Sequence, residues 1–215
     1  EYCNGGSLMD IFNRNKLSSI DLRMKQIILS SLCQALVYLK NTKKVIHCDV
    51  KLDNVLIHNG VVKLADFGCA QKHAVEPGVE DTPTIHPIVG TPMYHAPEIF
   101  RTAIGARGNA HTAYYDFKID VWSLGVIMYL LHYNKYPWPG VSVHNSCYHN
   151  LQLIESVPIA TLIATESPIG DVDLSHDARD LLVRMLDPDP HERLSPSQIL
   201  HHPYLSRYGD SSCTQ

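Results

Sequence analysis

The segment that most restricts the folding of this chain is a pair of short apolar runs around an Asn-Gly step. Val55-Leu56-Ile57-His58 and Val61-Val62-Lys63-Leu64 flank Asn59-Gly60. Asn-Gly is the favoured pair for a two-residue turn whose twist matches that of the strands it joins, so the segment is predicted to form a tight β-hairpin. A hairpin of this kind returns its two ends to one place. Asn54, just before the first strand, and Asp66, just after the second, therefore emerge side by side, as joint coordination of one metal requires. Upstream, Asp49 and Lys51 lie on the loop that feeds the hairpin, in Ile46-His47-Cys48-Asp49-Val50-Lys51-Leu52-Asp53-Asn54. A carboxylate can orient a hydroxyl, a lysine can neutralise a migrating phosphoryl group, and the oxygens of Asn54 and Asp66 can hold Mg²⁺, which prefers hard donors and few protein contacts.

Around the hairpin the sequence reads as helix. A short helical stretch is expected at Leu8–Asn13 after Gly5-Gly6. Asp21 then opens a long helix whose Leu22, Ile28, Leu29, Leu32, Leu36 and Leu39 form one apolar stripe. Val45-Ile46 is expected to be a short strand. Residues 69–92 carry Pro, Gly, His and acids without periodicity and read as a long mobile loop, of a length that is usually functional. Residues 121–131 are apolar on nearly all sides, as in a helix buried all round at the centre of a domain. Residues 133–147 are turn-rich. Residues 177–186 are predicted helical, with Leu181, Leu182, Met185 and Leu186 inward and Asp187-Pro188-Asp189-Pro190 as the stop. Ser195, Pro196 and Gln198 satisfy three helix-start rules together.

At 215 residues and 45% hydrophobic content the chain is long enough for one ordinary globular domain. Its net charge of −4 gives no reason to expect nucleic acid or a membrane as partner. No apolar run reaches the ~18 residues of a membrane span, and the polar opening does not read as a secretory leader. The six cysteines are scattered without a C-x-x-C pair, which points to a reduced, intracellular and cytoplasmic setting. His144, Cys147 and His149, or His201 and His202, offer no four-ligand set and read as surface histidines.

Five segments occur in an order that resembles the eukaryotic protein kinases of serine/threonine type. They are the 47–54 loop, Asp66-Phe67-Gly68, residues 90–98 with Gly90-Thr91-Pro92 and Ala96-Pro97-Glu98, Asp120-Val121-Trp122-Ser123-Leu124-Gly125, and Arg193. The resemblance implies a protein-kinase-like α+β fold: the mainly α-helical large, C-terminal lobe with a small β-hairpin over residues 1–205, the N-terminal β lobe being absent. Residues 1–6 would be the hinge, 66–98 the activation segment and 206–215 a disordered tail. It implies ATP and Mg²⁺ as cofactors and a protein substrate. Asp49 would be the catalytic base and Lys51 would sit against the transferring phosphate. Thr91 belongs with the serine/threonine type, and Asn54 and Asp66 would be the metal ligands. The Glu1 carbonyl and the Cys3 amide would meet the adenine edge above Leu56. His47 and Phe67 would pack together, Asp120 would support the catalytic loop, and Glu98 would pair with Arg193. Asp53 would face either a basic substrate residue or solvent.

The chain departs from that pattern in four places. It contains no Gly-x-Gly-x-x-Gly and nothing precedes the hinge, so it is expected to be a fragment that turns over negligibly without the N-terminal lobe of its parent chain. Cys48 stands where the family has the arginine that pairs with activation-segment phosphate. A thiol makes no bidentate phosphate contact, so activity should depend little on phosphorylation of Thr82, Thr84 or Thr91, unless a base such as Lys72 substitutes. Cys69 is either a reactive thiol beside the nucleotide or a small buried residue. The 100–115 connection is longer than usual and is either a docking element or a tolerated surface loop. The alternative to an enzyme is a pseudokinase acting as a scaffold. The joint retention of Asp49, Lys51, Asn54 and Asp66 separates the two, since a scaffold has no physical need for all four.

Overall fold

The computed structural model describes residues 2–14, 16–73, 84–105, 112–169 and 174–206. Glu1, Thr82 and the tail beyond Ser206 lie outside the described residues, and so do the roles expected of them. The described elements are α1 (Leu8–Asn13), α2 (Leu22–Tyr38), β1 (Val45–Ile46), β2 (Val55–His58), β3 (Val61–Leu64), β4 (Gln71–Lys72), β5 (Thr84–Pro87), α3 (Pro97–Gly105), β6 (Thr112–Tyr115), α4 (Lys118–Tyr133), α5 (Cys147–Ser156), α6 (Ile159–Thr165), α7 (His176–Met185), α8 (Pro196–Leu200) and α9 (Pro203–Ser206).

The fold is built around α4. Every residue from Ile119 to Tyr133 is buried, so α4 can serve as an axis only if other helices enclose it. Helices α2 and α7 do so, with α8 closing over α2. Helix α2 presents Ile28, Leu29, Leu32, Cys33, Leu36 and Leu39 to this core. Leu22, expected on the same stripe, is 49% exposed. It occupies the first helical position, directly after the Asp21 cap that accepts from the Met24 N–H, where the helix runs past the edge of the core. On α4, His132 is buried and meets the Tyr204 hydroxyl at 3.0 Å. Burial, with the nearby Lys25 charge, lowers its pKa to about 3.

Among the described residues the strands form three antiparallel pairs: β1 with β4, β2 with β3, and β5 with β6. The β2–β3 register, Val55↔Leu64 to His58↔Val61, is the one expected from Asn59-Gly60, and both turn residues have positive φ (49° and 78°) as the turn type demands. The 5–7 segment lies along this hairpin through Gly5 N–H to Ile57 O and Ile57 N–H to Gly6 O, both 2.9 Å. A Cβ on Gly5 would stand 2.8 Å from the Ile57 oxygen, so the close approach needs glycine.

Three expectations are corrected. The 69–92 stretch is not wholly loop: it contains β4 and β5, strands of two and four residues that are too short to show a period. The 100–115 connection is not a surface loop at its two ends, because Phe100 to Gly105 complete α3 and 112–115 form β6. Ser206 closes α9 and does not belong to a tail.

Gly125 marks where α4 and α7 touch. A Cβ there would lie 2.9 Å from both Cγ and Cδ2 of Leu186 and 3.2 Å from Cβ of Met185. In an open helix, Gly→Ala gains up to ~1 kcal/mol. Here overpacking outweighs that gain, and Gly125→Ala should lower stability by about 1–3 kcal/mol in chemical denaturation. A variant as stable as the wild type or more stable would show that α7 yields.

Candidate active site

The 47–54 loop enters from β1 and is held by α4. Asp120, in the first turn of α4, accepts the His47 N–H on Oδ2 (2.7 Å) and the Cys48 N–H on Oδ1 (2.9 Å). These bonds hold Cys48 at φ 66°, a left-handed conformation that a side-chain-bearing residue adopts at a cost of about 1–3 kcal/mol. Burial pushes the Asp120 carboxyl above the usual carboxylate range, against the pull of His47 and the two N–H groups.

The bend turns Asp49 into a cluster with Lys51, Asn54 and Thr91. Asp49 Oδ1 accepts from the Thr91 hydroxyl at 2.8 Å. Oδ2 lies 2.7 Å from Lys51 Nζ and 3.3 Å from Asn54 Nδ2, which also reaches the Asp49 carbonyl at 2.9 Å. Lys51 Nζ donates to Thr91 Oγ at 3.0 Å. Partial burial would lower the Lys51 pKa, but its hydrogen bond and charge attraction to Asp49 prevail and raise it. Lys51 therefore stays a cation. Asn54 commits its NH₂ to Asp49, which leaves its carbonyl oxygen to offer a cation.

The hairpin brings Asp66 back beside this cluster through the Ala65 N–H to Asn54 O bond at 2.9 Å. Asp66 has φ 60° and is exposed. Its Oδ1 accepts the Gly68 N–H at 3.1 Å, leaving Oδ2 open. The His47 and Phe67 rings pack with centroids 4.9 Å apart, and His47 Nε2 meets the Ala65 carbonyl at 3.1 Å. Cys3, Leu56 and Cys69 are half-buried, so Cys69 is not the fully buried residue that one reading required.

The segment after β5 is pressed onto this loop by Gly90. With φ 95°, a Cβ there would fall 2.2 Å from the Cys48 carbonyl oxygen, a contact that only glycine permits. Five residues on, His95 bonds the Val89 carbonyl through Nε2 at 2.9 Å, and its pKa is lowered to about 4 by burial. The far end is anchored by Arg193, whose two terminal nitrogens donate to Glu98 at 2.7 and 2.9 Å. This is the expected pair, and the Arg193 side chain has no exposure. Breaking it from one side would cost ~3–5 kcal/mol. Sequence reasoning missed the aromatic cluster of His73, His86, Tyr115 and Phe117 beneath Cys48. Its members come from three separate segments with no shared spacing. The terminal histidines are used structurally: His202 Nε2 lies 2.8 Å from Asp180 Oδ2, and His201 Nδ1 meets the Ser197 carbonyl at 2.8 Å.

Residues 1–205 match the family model described as protein kinase domain. Among curated relatives, the serine/threonine-protein kinase DCLK3 of Homo sapiens is 32% identical over 221 residues, covering 99% of this chain and 29% of its own length. The serine/threonine-protein kinase cds1 of Schizosaccharomyces pombe is 32% identical over 210 residues, covering 95% of this chain and 40% of its own. The serine/threonine-protein kinase stk11 homolog of Dictyostelium discoideum is 29% identical over 209 residues, 97% of this chain and 31% of its own. The chain thus spans well under half of each relative. It belongs to the protein kinase family, and its relatives are of the serine/threonine type. Among the described residues no helix is long and apolar enough to cross a membrane.

Two outcomes follow from this geometry. Asp120→Asn keeps one oxygen and turns an NH₂ toward the other backbone N–H. It should lose about 1–3 kcal/mol of stability and speed hydrogen exchange at Cys48; native exchange there would contradict the assignment. His95 and His132 titrate near 6.5 when unfolded but at about 4 and about 3 when folded. Between those values the unfolded chain binds more protons. Stability should therefore fall on acidification from pH ~6.5 toward ~4, by up to about 1.4 kcal/mol per pH unit for each histidine. Unfolding free energies that stay flat over that window would refute this.

Proposed function

We propose that this chain is the C-terminal lobe, residues 1–205, of a serine/threonine protein kinase, and that its parent transfers the γ-phosphoryl group of ATP to a protein Ser or Thr hydroxyl. The observation that carries the reading is the Thr91 hydroxyl donating to Asp49 Oδ1 at 2.8 Å beside Lys51 Nζ. A threonine hydroxyl here makes the contact that a substrate hydroxyl would need.

In this mechanism Asp49 receives the substrate hydroxyl proton as the oxygen attacks phosphorus and the bond to the ADP oxygen breaks. Lys51, held as a cation, stabilises the charge on the migrating group. Asn54 orients Asp49 from below. Asn54 Oδ1 and Asp66 Oδ2 are the hard oxygens that would hold Mg²⁺, which when bound would neutralise phosphate charge. Thr91 swings from Asp49 when substrate enters and keeps Lys51 in place. The Cys3 amide and the Leu56 side chain belong to the adenine site, together with the Glu1 carbonyl. No Gly-x-Gly-x-x-Gly occurs in the 215 residues, so the remaining phosphate clamp comes from elsewhere in the parent protein.

In the full-length protein, Asp49→Asn should lower kcat by about 10²–10⁴-fold while leaving ATP binding within about twofold. Transfer of labelled γ-phosphate to a mixed Ser/Thr peptide set measures the first, and nucleotide titration the second. The 215-residue chain alone should transfer negligibly. Undiminished kcat in the Asn variant, or turnover at ~1–100 s⁻¹ by the isolated chain, would overturn the respective parts. A full-length protein that binds partners but transfers no phosphate would be a scaffold.

A further inference from the structure

The Cys48 side chain meets two neutral groups. Its thiol lies 3.6 Å from the Ile46 carbonyl and 3.8 Å from the Tyr115 hydroxyl. Tyr115 ends β6 and is 2% exposed. Its hydroxyl donates to the Pro87 carbonyl in β5 at 2.7 Å. Its ring stacks on His86, also in β5, with centroids 4.8 Å apart and planes at 30°. The two strands pair at four positions, from Thr84↔Tyr115 to Pro87↔Thr112. His86 in turn meets His73 at 3.4 Å, and His73 packs edge-on against Phe117 at 4.7 Å.

Hydrogen accounting fixes the polarity of this contact. Burial pushes both the Tyr115 phenol and the Cys48 thiol far above their usual ranges, so each keeps its proton. The phenol has one hydrogen and gives it to Pro87. Its oxygen can still accept from the thiol, whose one hydrogen it shares with the nearer Ile46 carbonyl. The path Cys48 S–H, Tyr115 O–H, Pro87 C=O thus runs from the catalytic loop to the activation segment without a formal charge.

We propose that Tyr115 is a positioning residue that holds the activation segment by this neutral path. It replaces the cation–phosphate contact for which Cys48 has no charge. The path is made on folding and needs no phosphate, so turnover does not wait on modification of the segment. The effect on turnover rests on the phosphotransfer reading above; the tether itself does not.

Tyr115→Phe in the full-length protein keeps the ring and its stack on His86 and removes only the hydroxyl. Losing one hydrogen bond of this kind corresponds to about a tenfold change in a local opening equilibrium. Amide exchange over residues 84–89, where Pro87 has no N–H, should rise about tenfold. With the phosphotransfer reading correct, kcat should fall by a similar factor with the KM for ATP unchanged. The thermal unfolding midpoint should fall by no more than about 3–5 °C, the shift that a loss of this size brings to a domain of about 150–250 residues. Phosphatase treatment of the wild type should leave kcat within about twofold. Native exchange at 84–89 in the variant would overturn the proposal. So would a general loss of protection with a midpoint lowered beyond that, which marks a merely structural role, or a tenfold drop in wild-type kcat on dephosphorylation. A wild-type protein that transfers no phosphate would sink the phosphotransfer reading alone, because the exchange measurement still decides the tether.

Discussion

The contact on which the site depends is the Asp120 carboxylate beneath the backbone of His47 and Cys48. The loop that turns Asp49 toward Lys51 and Thr91 bends at Cys48, and that bend is left-handed. Left alone, such a residue would relax to φ < 0 and carry Asp49 away. Two N–H groups accepted by one buried carboxylate prevent this. The carboxylate can serve only because α4 does not move. Helix α4 is buried along its length, so any displacement of Asp120 would open a cavity at the domain centre. The most apolar segment of the chain thus fixes the position of its most polar cluster.

Charge is used sparingly around this point. Glu98 and Arg193 form a bidentate pair whose guanidinium also lies over Trp122, 5.0 Å from the ring centroid. Its geometry satisfies both partners, the condition under which a buried pair is tolerated. Asp49 and Lys51 form the other close pair, and Lys51 keeps access to solvent, with 21% of its side chain exposed. Under the proposed function, a cation that has to meet incoming phosphate could not be sealed in. The first pair anchors the start of α3, and the second is the pair that the Thr91 hydroxyl joins.

Much of this was legible in the sequence, where a local rule and a global need coincided. Asn59-Gly60 specified the hairpin because only residues comfortable at φ > 0 make that turn, and the turn alone brings Asn54 and Asp66 together. The continuous apolar run at 121–131 specified a buried helix for lack of any polar face. Leu22 was misread because periodicity says which side a residue faces and nothing of where the core ends. Strands β4 and β5 were missed because a strand of two to four residues is defined by its partner, and neither partner is near in sequence. The Cys48–Tyr115 contact was hidden for the same reason: its residues are 67 apart, and the sequence showed the missing arginine but not what had taken its place.

Two glycines and a tyrosine add contacts that are not ionic to the Glu98–Arg193 and Asp49–Lys51 pairs. Gly90 leaves the Cys48 carbonyl the space that a Cβ would take, Gly5 lets the first residues lie against the hairpin, and the Tyr115 hydroxyl makes a neutral hydrogen bond to Pro87. Each of these contacts is short-ranged and steeply dependent on distance. Unlike an ion pair, none weakens with salt over a screening length of about 8–10 Å. A phosphate-dependent segment gains its position from long-range attraction and can lose it again when the charge is removed. A segment placed by close packing and neutral bonds has no such release. If Tyr115 holds the segment as proposed, control would act through what the lobe meets and not through the charge state of the segment itself.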